Sequence, residues 1–342
     1  MPSDARTLGN YFRRVNSFSG INAARNCNGP IVKNPPNEEA NPQNHYQYVM
    51  KTLVIYHKAD WDGLFSREIC RKHFGDNADY LGWDYGDPVP QVDADRDVVM
   101  VDISVDGLMT HPRLTWIDHH KSAIAKFSEA IPGYRIDGVA ACRLAWQYWF
   151  GPARMPEKED FVARTVSEPY AVQLAGEYDI WDKRNPDADT FQSAMRSREI
   201  DAEWWANLLD TTIHPEAKVQ RSELTTRALM PLGRAIQFSA DEANASLARD
   251  VAFELAWEGL RFIAINKPRG NSRTFAAVVQ PTHDALLTFY WLRNKWRVSL
   301  YHAPHRTDLD LSQIAVKYGG GGHRGACGFE AKALPFQLNE AA

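Results

Sequence analysis

From Met50 onward, short β-rich runs alternate with helical patterns, and each of the first runs ends on a histidine or an aspartate. Strands are expected near 52–56 (Leu53-Val54-Ile55-Tyr56), at Val98-Val99-Met100-Val101 and at Leu114-Thr115-Trp116-Ile117, with a helix near 64–74. Strands that alternate with helices require crossover connections and therefore a parallel sheet, so the fold class is α/β. The residues that close the three strands are His57, Asp102 and Asp118-His119-His120. Ligands bind outside the carboxyl ends of strands in open α/β sheets, and these polar groups are therefore placed to converge. Helical patterns follow near 138–150 and 158–178, the second running into Glu177-Tyr178-Asp179-Ile180-Trp181-Asp182.

Four regions are expected. Residues 1–49 are rich in Asn, Pro and Gly without a sustained apolar period, and read as a tail that is disordered or results from a start codon chosen too far upstream. Residues 50–185 form a catalytic α/β domain. Residues 186–250 form a helical connector, with helix formers at helical spacing through Trp204, Trp205, Leu208, Leu209, Leu229, Leu232 and Ile236. Residues 251–335 form a smaller α/β domain. Its strands are expected at 261–265, 275–279, 286–291 and 296–300, with a helix near 309–318 leading into Gly319-Gly320-Gly321-Gly322-His323.

Charge and cysteine content narrow the function classes. The 39 basic and 43 acidic residues leave a formal net charge of −4, unlike the strongly basic balance of a general nucleic-acid wrapper. Yet residues 261–306 hold eight Lys or Arg against one acidic residue, Asp284. No stretch approaches the roughly 18–20 apolar residues of a membrane helix, and the N-terminus lacks a signal-peptide run, so the chain reads as cytoplasmic. Cys27, Cys70, Cys142 and Cys327 stand far apart, which argues against a thiolate zinc site or a disulfide framework. Oxygen and imidazole remain for metal chemistry.

Four constellations supply them. His57-Lys58-Ala59-Asp60-Trp61-Asp62-Gly63 places one imidazole and two carboxylates on a strand-to-helix turn, where alternate side chains can aim at two cations and Gly63 permits a tight helix entry. Asp102 follows an apolar strand. Asp118-His119-His120 puts a carboxylate beside imidazoles, the usual arrangement for fixing a ligand's tautomer. Asp179 has Asp182 close behind it. Taken singly, each is compatible with a solvated loop, a turn or a helix cap. Together, five carboxylates and two or three imidazoles at equivalent positions of one domain suit a pair of divalent cations of the kind that clamps phosphoryl displacement. Carboxylate with imidazole and no thiolate favours Mn²⁺ over Mg²⁺.

The ordered series H-x-x-D-x-D-G (57–63), D (102), D-H-H (118–120), D (179) and G-G-G-G-H (319–323) resembles the DHH phosphoesterase superfamily, in its branch with a C-terminal DHHA1 domain. The resemblance spans roughly residues 50–330. It implies that His57, Asp60 and Asp102 hold one metal and that Asp62, Asp102, His119 and Asp179 hold the other, with Asp102 as the bridge. It further implies that Asp118 orients an imidazole, that His120 faces the substrate phosphate, and that Gly320, Gly321, Gly322 and His323 contact the substrate. The chain departs from the pattern at Tyr301-His302, where many relatives have Arg-Ser, so that phosphate contact passes to Arg306, Arg273 or His305. Arg324 stands where Pro is common and could add a cation. Asp179 is preferred over Asp182 because E-Y-D-I-W resembles the D-x-W of oligoribonuclease-like members.

The expected function is hydrolysis of phosphoester bonds in short nucleotides, such as oligoribonucleotides of a few residues. It would depend on two Mn²⁺ ions, with Mg²⁺ or Co²⁺ as substitutes, and would act on substrate lying between the domains. A cyclic-dinucleotide or 3′-phosphonucleotide phosphohydrolase, a single-strand exonuclease and a catalytically dead nucleic-acid-binding scaffold are the alternatives. No obligate protein partner is evident, and a homodimer is left open. Among the 11 tryptophans, Trp61, Trp83, Trp291 and Trp296 are either base-stacking platforms or core residues.

Overall fold

The computed structural model describes residues 51–127 and 130–338, so the expected tail over 1–49 lies outside the described residues. In chain order the first half comprises β1 (Thr52–His57), α1 (Trp61–Phe74), β2 (Ala78–Trp83), β3 (Val98–Val101), β4 (Leu114–Ile117), α2 (Lys121–Lys126), α3 (Ala141–Phe150), α4 (Lys158–Val162) and α5 (Tyr170–Asp179). Its four strands form a wholly parallel sheet in the order β2-β1-β3-β4. Alternation along the strands explains why the runs are apolar throughout. Val54, Val99, Val101 and Ile117 join the core beneath α1, α3 and α5, while Leu53, Ile55, Met100 and Trp116 fill a second core on the opposite face. A parallel sheet buried on both faces leaves no polar row.

After α5 come α6 (Pro186–Met195), α7 (Ala202–Leu208) and the 31-residue α8 (Arg221–Val251), which add Phe191, Met195, Leu208, Leu229 and Met230 to the core beneath the first sheet. Helix α8 packs along α6 and leads directly into the second sheet. That sheet comprises β5 (Phe253–Trp257), β6 (Leu260–Asn266), β7 (Ala285–Leu292), β8 (Lys295–His302), β9 (Gly321–His323) and β10 (Ala326–Ala331), with α9 (Ser312–Lys317) before β9. The strand order is β5-β6-β7-β8-β10-β9; β6 and β7 run parallel and the other pairs antiparallel. Both sheets lie in one compact unit, and each has its own core clusters. Among the described residues, no helix is long and apolar enough to cross a membrane.

Two expectations are corrected. The helix expected over 158–178 is two helices, because Arg164 adopts φ +59° and Pro169 precedes α5, where a missing N–H is tolerated. The apolar run 275–279 is not a strand: a 3₁₀ turn at Ser272–Phe275 buries Phe275 among Ile263, Ile265, Leu286 and Ala303, and it is this plug that demands apolar residues. Strands β2, β9 and β10 carry too little alternation to read from sequence, and β5 alternates over only five residues directly after α8. Strand β9 consists of glycines and one histidine and exists only through its pairing with β10.

Candidate metal centre

The sheet register builds the site. Tyr56 lies opposite Val101 and Val101 opposite Ile117, so the next residues along, His57, Asp102 and Asp118, emerge side by side. Asp102 turns sharply out of the row with φ +61°, a conformation that costs an aspartate about 1–3 kcal/mol, while its N–H donates to the Ile117 carbonyl at 2.9 Å. The turn into α1 is equally tight. Asp60 caps the helix by accepting from the Gly63 N–H at 3.0 Å, and a Cβ on Gly63 would stand 1.9 Å from the His57 carbonyl oxygen. Only glycine lets the helix start this close to the strand. The first turn of α1 carries Asp62, whose two oxygens accept from the Ala141 and Cys142 N–H groups of α3 at 2.8 and 2.7 Å. Asp179 arrives from the last turn of α5.

These elements bring three overlapping groups of potential ligands together, His57 with Asp60 and Asp102, Asp62 with His119 and Asp179, and Asp102 with His119 and His120, each within 4.8 Å of its fellows. Asp102 joins them: one oxygen lies 3.4 Å from His57 Nδ1 and the other 3.4 Å from His119 Nε2. His57 Nδ1 also stands 2.7 Å from Asp60, and His119 Nε2 is 3.5 Å from Asp62 and 3.3 Å from Asp179. A ring nitrogen carries at most one proton and cannot bond three carboxylates. Asp102 is 1% exposed, and neither of its oxygens has a hydrogen-bond partner. Buried charges of this kind are held by partners or by metal ions, and orphaned oxygens facing two separate ligand groups fit a pair of cations sharing one carboxylate.

Electrostatics point the same way. Burial, followed by the negative charge of Asp62, pushes the carboxyl pKa values of both Asp102 and Asp179 well above the usual range. Burial opposes a charge on His57, but the carboxylates of Asp102 and Asp60 beside its Nδ1 dominate and raise it to about 11. The protonated imidazole thus stands in for a cation. Asp118 is fully buried, which taken alone would raise its pKa, yet the bond to His120 and the nearby imidazoles hold it below the ordinary value. One Asp118 oxygen accepts from the His119 N–H, the His120 N–H and His120 Nδ1, and the other from the Trp116 indole N–H at 3.1 Å.

The other residues singled out in the sequence divide clearly. His323 reaches across from the second sheet, its ring stacked 6.3 Å from that of His119, and desolvation, with the neighbouring His119 and His120, depresses its pKa although its side chain is still exposed. His323 and Arg324 line a cavity of 580 Å³ with Ile180, Trp181 and Lys183 on the facing wall. Gly320, Gly321 and Gly322 border a trough of 790 Å³ along the second sheet; a Cβ on Gly320 would meet the Gly328 carbonyl at 2.1 Å, so the strands close only without side chains. Asp182 is engaged by Arg184 at 2.8 Å and is not among the clustered ligands. Arg273 pairs with Asp241 on α8, and Arg306 with Asp284 and Asp308; neither lines the 580 Å³ cavity.

Sequence reasoning missed Asp84, one residue beyond β2, whose carboxylate lies 3.4 Å from His57 Nε2. It too closes a parallel strand, but Ala-Asp-Tyr-Leu-Gly-Trp hides that strand. It also missed the buried pair of Arg143 with Glu168 behind α3, bonded from Nε at 2.9 Å, which no local pattern announces.

No protein-family model matches the chain, and no curated protein does. Among solved structures, the DHH domain of a member of a family of ribosomal proteins aligns at 13% identity over 83% of each chain, with a TM-score of 0.47. The pGpG-specific phosphodiesterase PggH from Vibrio cholerae aligns at 12% identity over 82% of this chain and 93% of its own, with a TM-score of 0.43. RecJ from Thermus thermophilus in complex with Mn²⁺ aligns at 14% identity over 82% of this chain and 50% of its own, with a TM-score of 0.42. At these identities and TM-scores the likeness assigns no function, and it is the residues of the cluster that point to one.

Proposed function

We propose that the chain is a phosphoesterase of the DHH/DHHA1 type that hydrolyses phosphoester bonds of short nucleotides, such as oligoribonucleotides of a few residues, with two Mn²⁺ ions as cofactor. The observation that carries this reading is Asp102, a buried carboxylate with two unpartnered oxygens, each directed at a separate set of imidazole and carboxylate ligands. When bound, the cations supply the Lewis acidity that activates water and neutralises charge on the transferring phosphoryl group. In this reading His57, Asp60 and Asp102 hold one ion, and Asp62, Asp102, His119 and Asp179 the other.

The remaining residues position the substrate and move a proton. Asp118 accepts from His120 Nδ1, which leaves Nε2 as the ring nitrogen free to carry a proton to the leaving oxygen. His323 and Arg324 offer donors to the phosphate, and the glycines 320–322 let backbone approach it without side-chain obstruction. The 580 Å³ cavity between Trp181 and Pro304 is the place for the nucleoside. Purified protein with Mn²⁺ is expected to release mononucleotides from a dinucleotide, and Asp102→Ala or His119→Ala to abolish the release. A screen over longer RNA, single-stranded DNA, cyclic dinucleotides and 3′-phosphoadenosine 5′-phosphate ranks the substrates. Metal binding without hydrolysis of any of them would overturn the assignment in favour of a binding scaffold.

A further inference from the structure

The far end of the second sheet carries an aromatic and cationic surface for which the proposed reaction has no use. Leu292 pairs with Lys295, so β7 and β8 are joined by the two-residue turn Arg293-Asn294. Trp291, just before that turn, is 51% exposed. Its ring meets Trp296 edge to face with centroids 5.3 Å apart, and Trp296 rests on the buried Phe289 at 5.9 Å. The exposed indole is therefore propped from below. A cavity of 690 Å³ opens beside it, bordered by Tyr290, Trp291, Trp296, Arg269 and Arg297.

The cations at this end of the sheet are of two kinds. Lys295 and Arg297 share Glu330, which offsets one of their two charges. Arg269, in the turn after β6, and Arg293, at the hairpin tip, are exposed, and Lys267 is half-buried; among the described residues none of the three has an ion-pair partner. A propped aromatic face with Arg269 on the cavity wall and further uncompensated cations at Arg293 in the hairpin turn and Lys267 after β6 suits an occupant that presents planar bases and regularly spaced phosphates. Base stacking on such a ring tolerates any sequence, and the cations follow the backbone.

We propose that this hairpin end of the second sheet binds single-stranded nucleic acid, Trp291 stacking on a base while Arg269, Arg293 and Lys267 contact phosphates. Strand β8 runs from Lys295 at the hairpin to His302 beside the 580 Å³ cavity, a span of roughly 23 Å at about 3.3 Å per residue. A dinucleotide held at the metal centre would not reach Trp291, whereas a longer strand would. That length dependence rests on the reaction proposed above; binding at the hairpin does not.

The test uses the full chain in EDTA with a fluorescently labelled single-stranded RNA of about ten nucleotides, read by anisotropy. Trp291→Ala is expected to weaken binding roughly 5- to 150-fold, the loss of one stacked base, and Trp291→Phe to restore most of it. Removing both Arg269 and Arg293 by alanine substitution should reduce the slope of log affinity against log salt by roughly 1.4. Mn²⁺-dependent cleavage of a dinucleotide should proceed at the wild-type rate in all these variants. Circular dichroism confirms that each variant is folded. The proposal is overturned if folded Trp291→Ala binds the strand like wild type, or if wild type does not bind it. It is also overturned if Trp291→Ala merely splits a dimer while strand affinity persists. Should wild type fail to cleave the dinucleotide while strand binding still depends on Trp291, the catalytic reading falls and this surface stands.

Discussion

Asp102→Asn preserves the shape of the shared carboxylate and removes its charge, and in metal-free protein it is expected to be stabilising. The wild-type group is buried, unpartnered at both oxygens and within 4.8 Å of an Asp60 oxygen. At that separation and an effective dielectric constant near 20, one like-charge pair costs at most about 3 kcal/mol, because the raised pKa of Asp102 lets protonation relieve it, and Asp62 adds to the repulsion. Against this gain stands the lost attraction between the Asp102 carboxylate and the His57 imidazolium 3.4 Å away, about 1.5–3 kcal/mol by analogy with a bond to a charged group. The two nearly cancel, and the balance with the Asp62 repulsion favours the variant by up to about 1.5 kcal/mol, or up to roughly 6 °C in Tm. Differential scanning fluorimetry in EDTA reads it directly. With Mn²⁺ at about a hundred times its Kd, wild type should gain about 2.7 kcal/mol per site, while the variant gains little and loses hydrolysis, so that the order of stability inverts. A variant less stable than wild type in EDTA would refute the like-charge account of the cluster. One that keeps the full Mn²⁺ stabilisation would refute Asp102 as the shared ligand.

Three other outcomes are expected. Mn²⁺ binding near neutral pH should release protons, seen by calorimetry in buffers of differing ionisation enthalpy, because His57 titrates at about 11 and must deprotonate to bind metal. Its raised pKa also means that the metal-free fold retains a proton the unfolded chain loses above about pH 6.5. Metal-free stability should therefore fall as pH rises from there toward 11, and the opposite slope would contradict the assignment. Asp118→Asn should lower kcat by about 10- to 100-fold while Mn²⁺ stoichiometry is unchanged, since it orients His120 without being a ligand; loss of metal would show Asp118 to be structural. Glu168→Ala leaves Arg143 buried and unpaired and should cost about 3–5 kcal/mol in denaturant unfolding with an unaltered active-site cluster.

The first sheet was legible because burial on both faces forces continuous apolar runs, and an aspartate or histidine that breaks such a run is conspicuous. His57, Asp102 and Asp118 stood out for that reason. Strand β2 and its Asp84 did not, since an edge strand with mixed polarity lacks the signal. The second sheet was legible in β6, β7 and β8, whereas Phe275 misled because a buried plug and a strand make the same demand for apolar residues.

The sequence by itself determined which side chains could serve as ligands and that each of the first strands would deliver one to the same edge, since strand alternation and chain direction are local properties. Only the tertiary structure decided how they are shared. Asp102 points an oxygen at each group because its backbone is forced to φ +61° between its neighbours, and Asp62 is aimed by the amides of α3, 79 and 80 residues away. Asp179 was separated from Asp182 by the end of α5, and His323 was carried from the second sheet to His119 at the edge of the first. These are long-range consequences of packing, in which the repulsion of clustered carboxylates is overcome by cores built elsewhere in the chain.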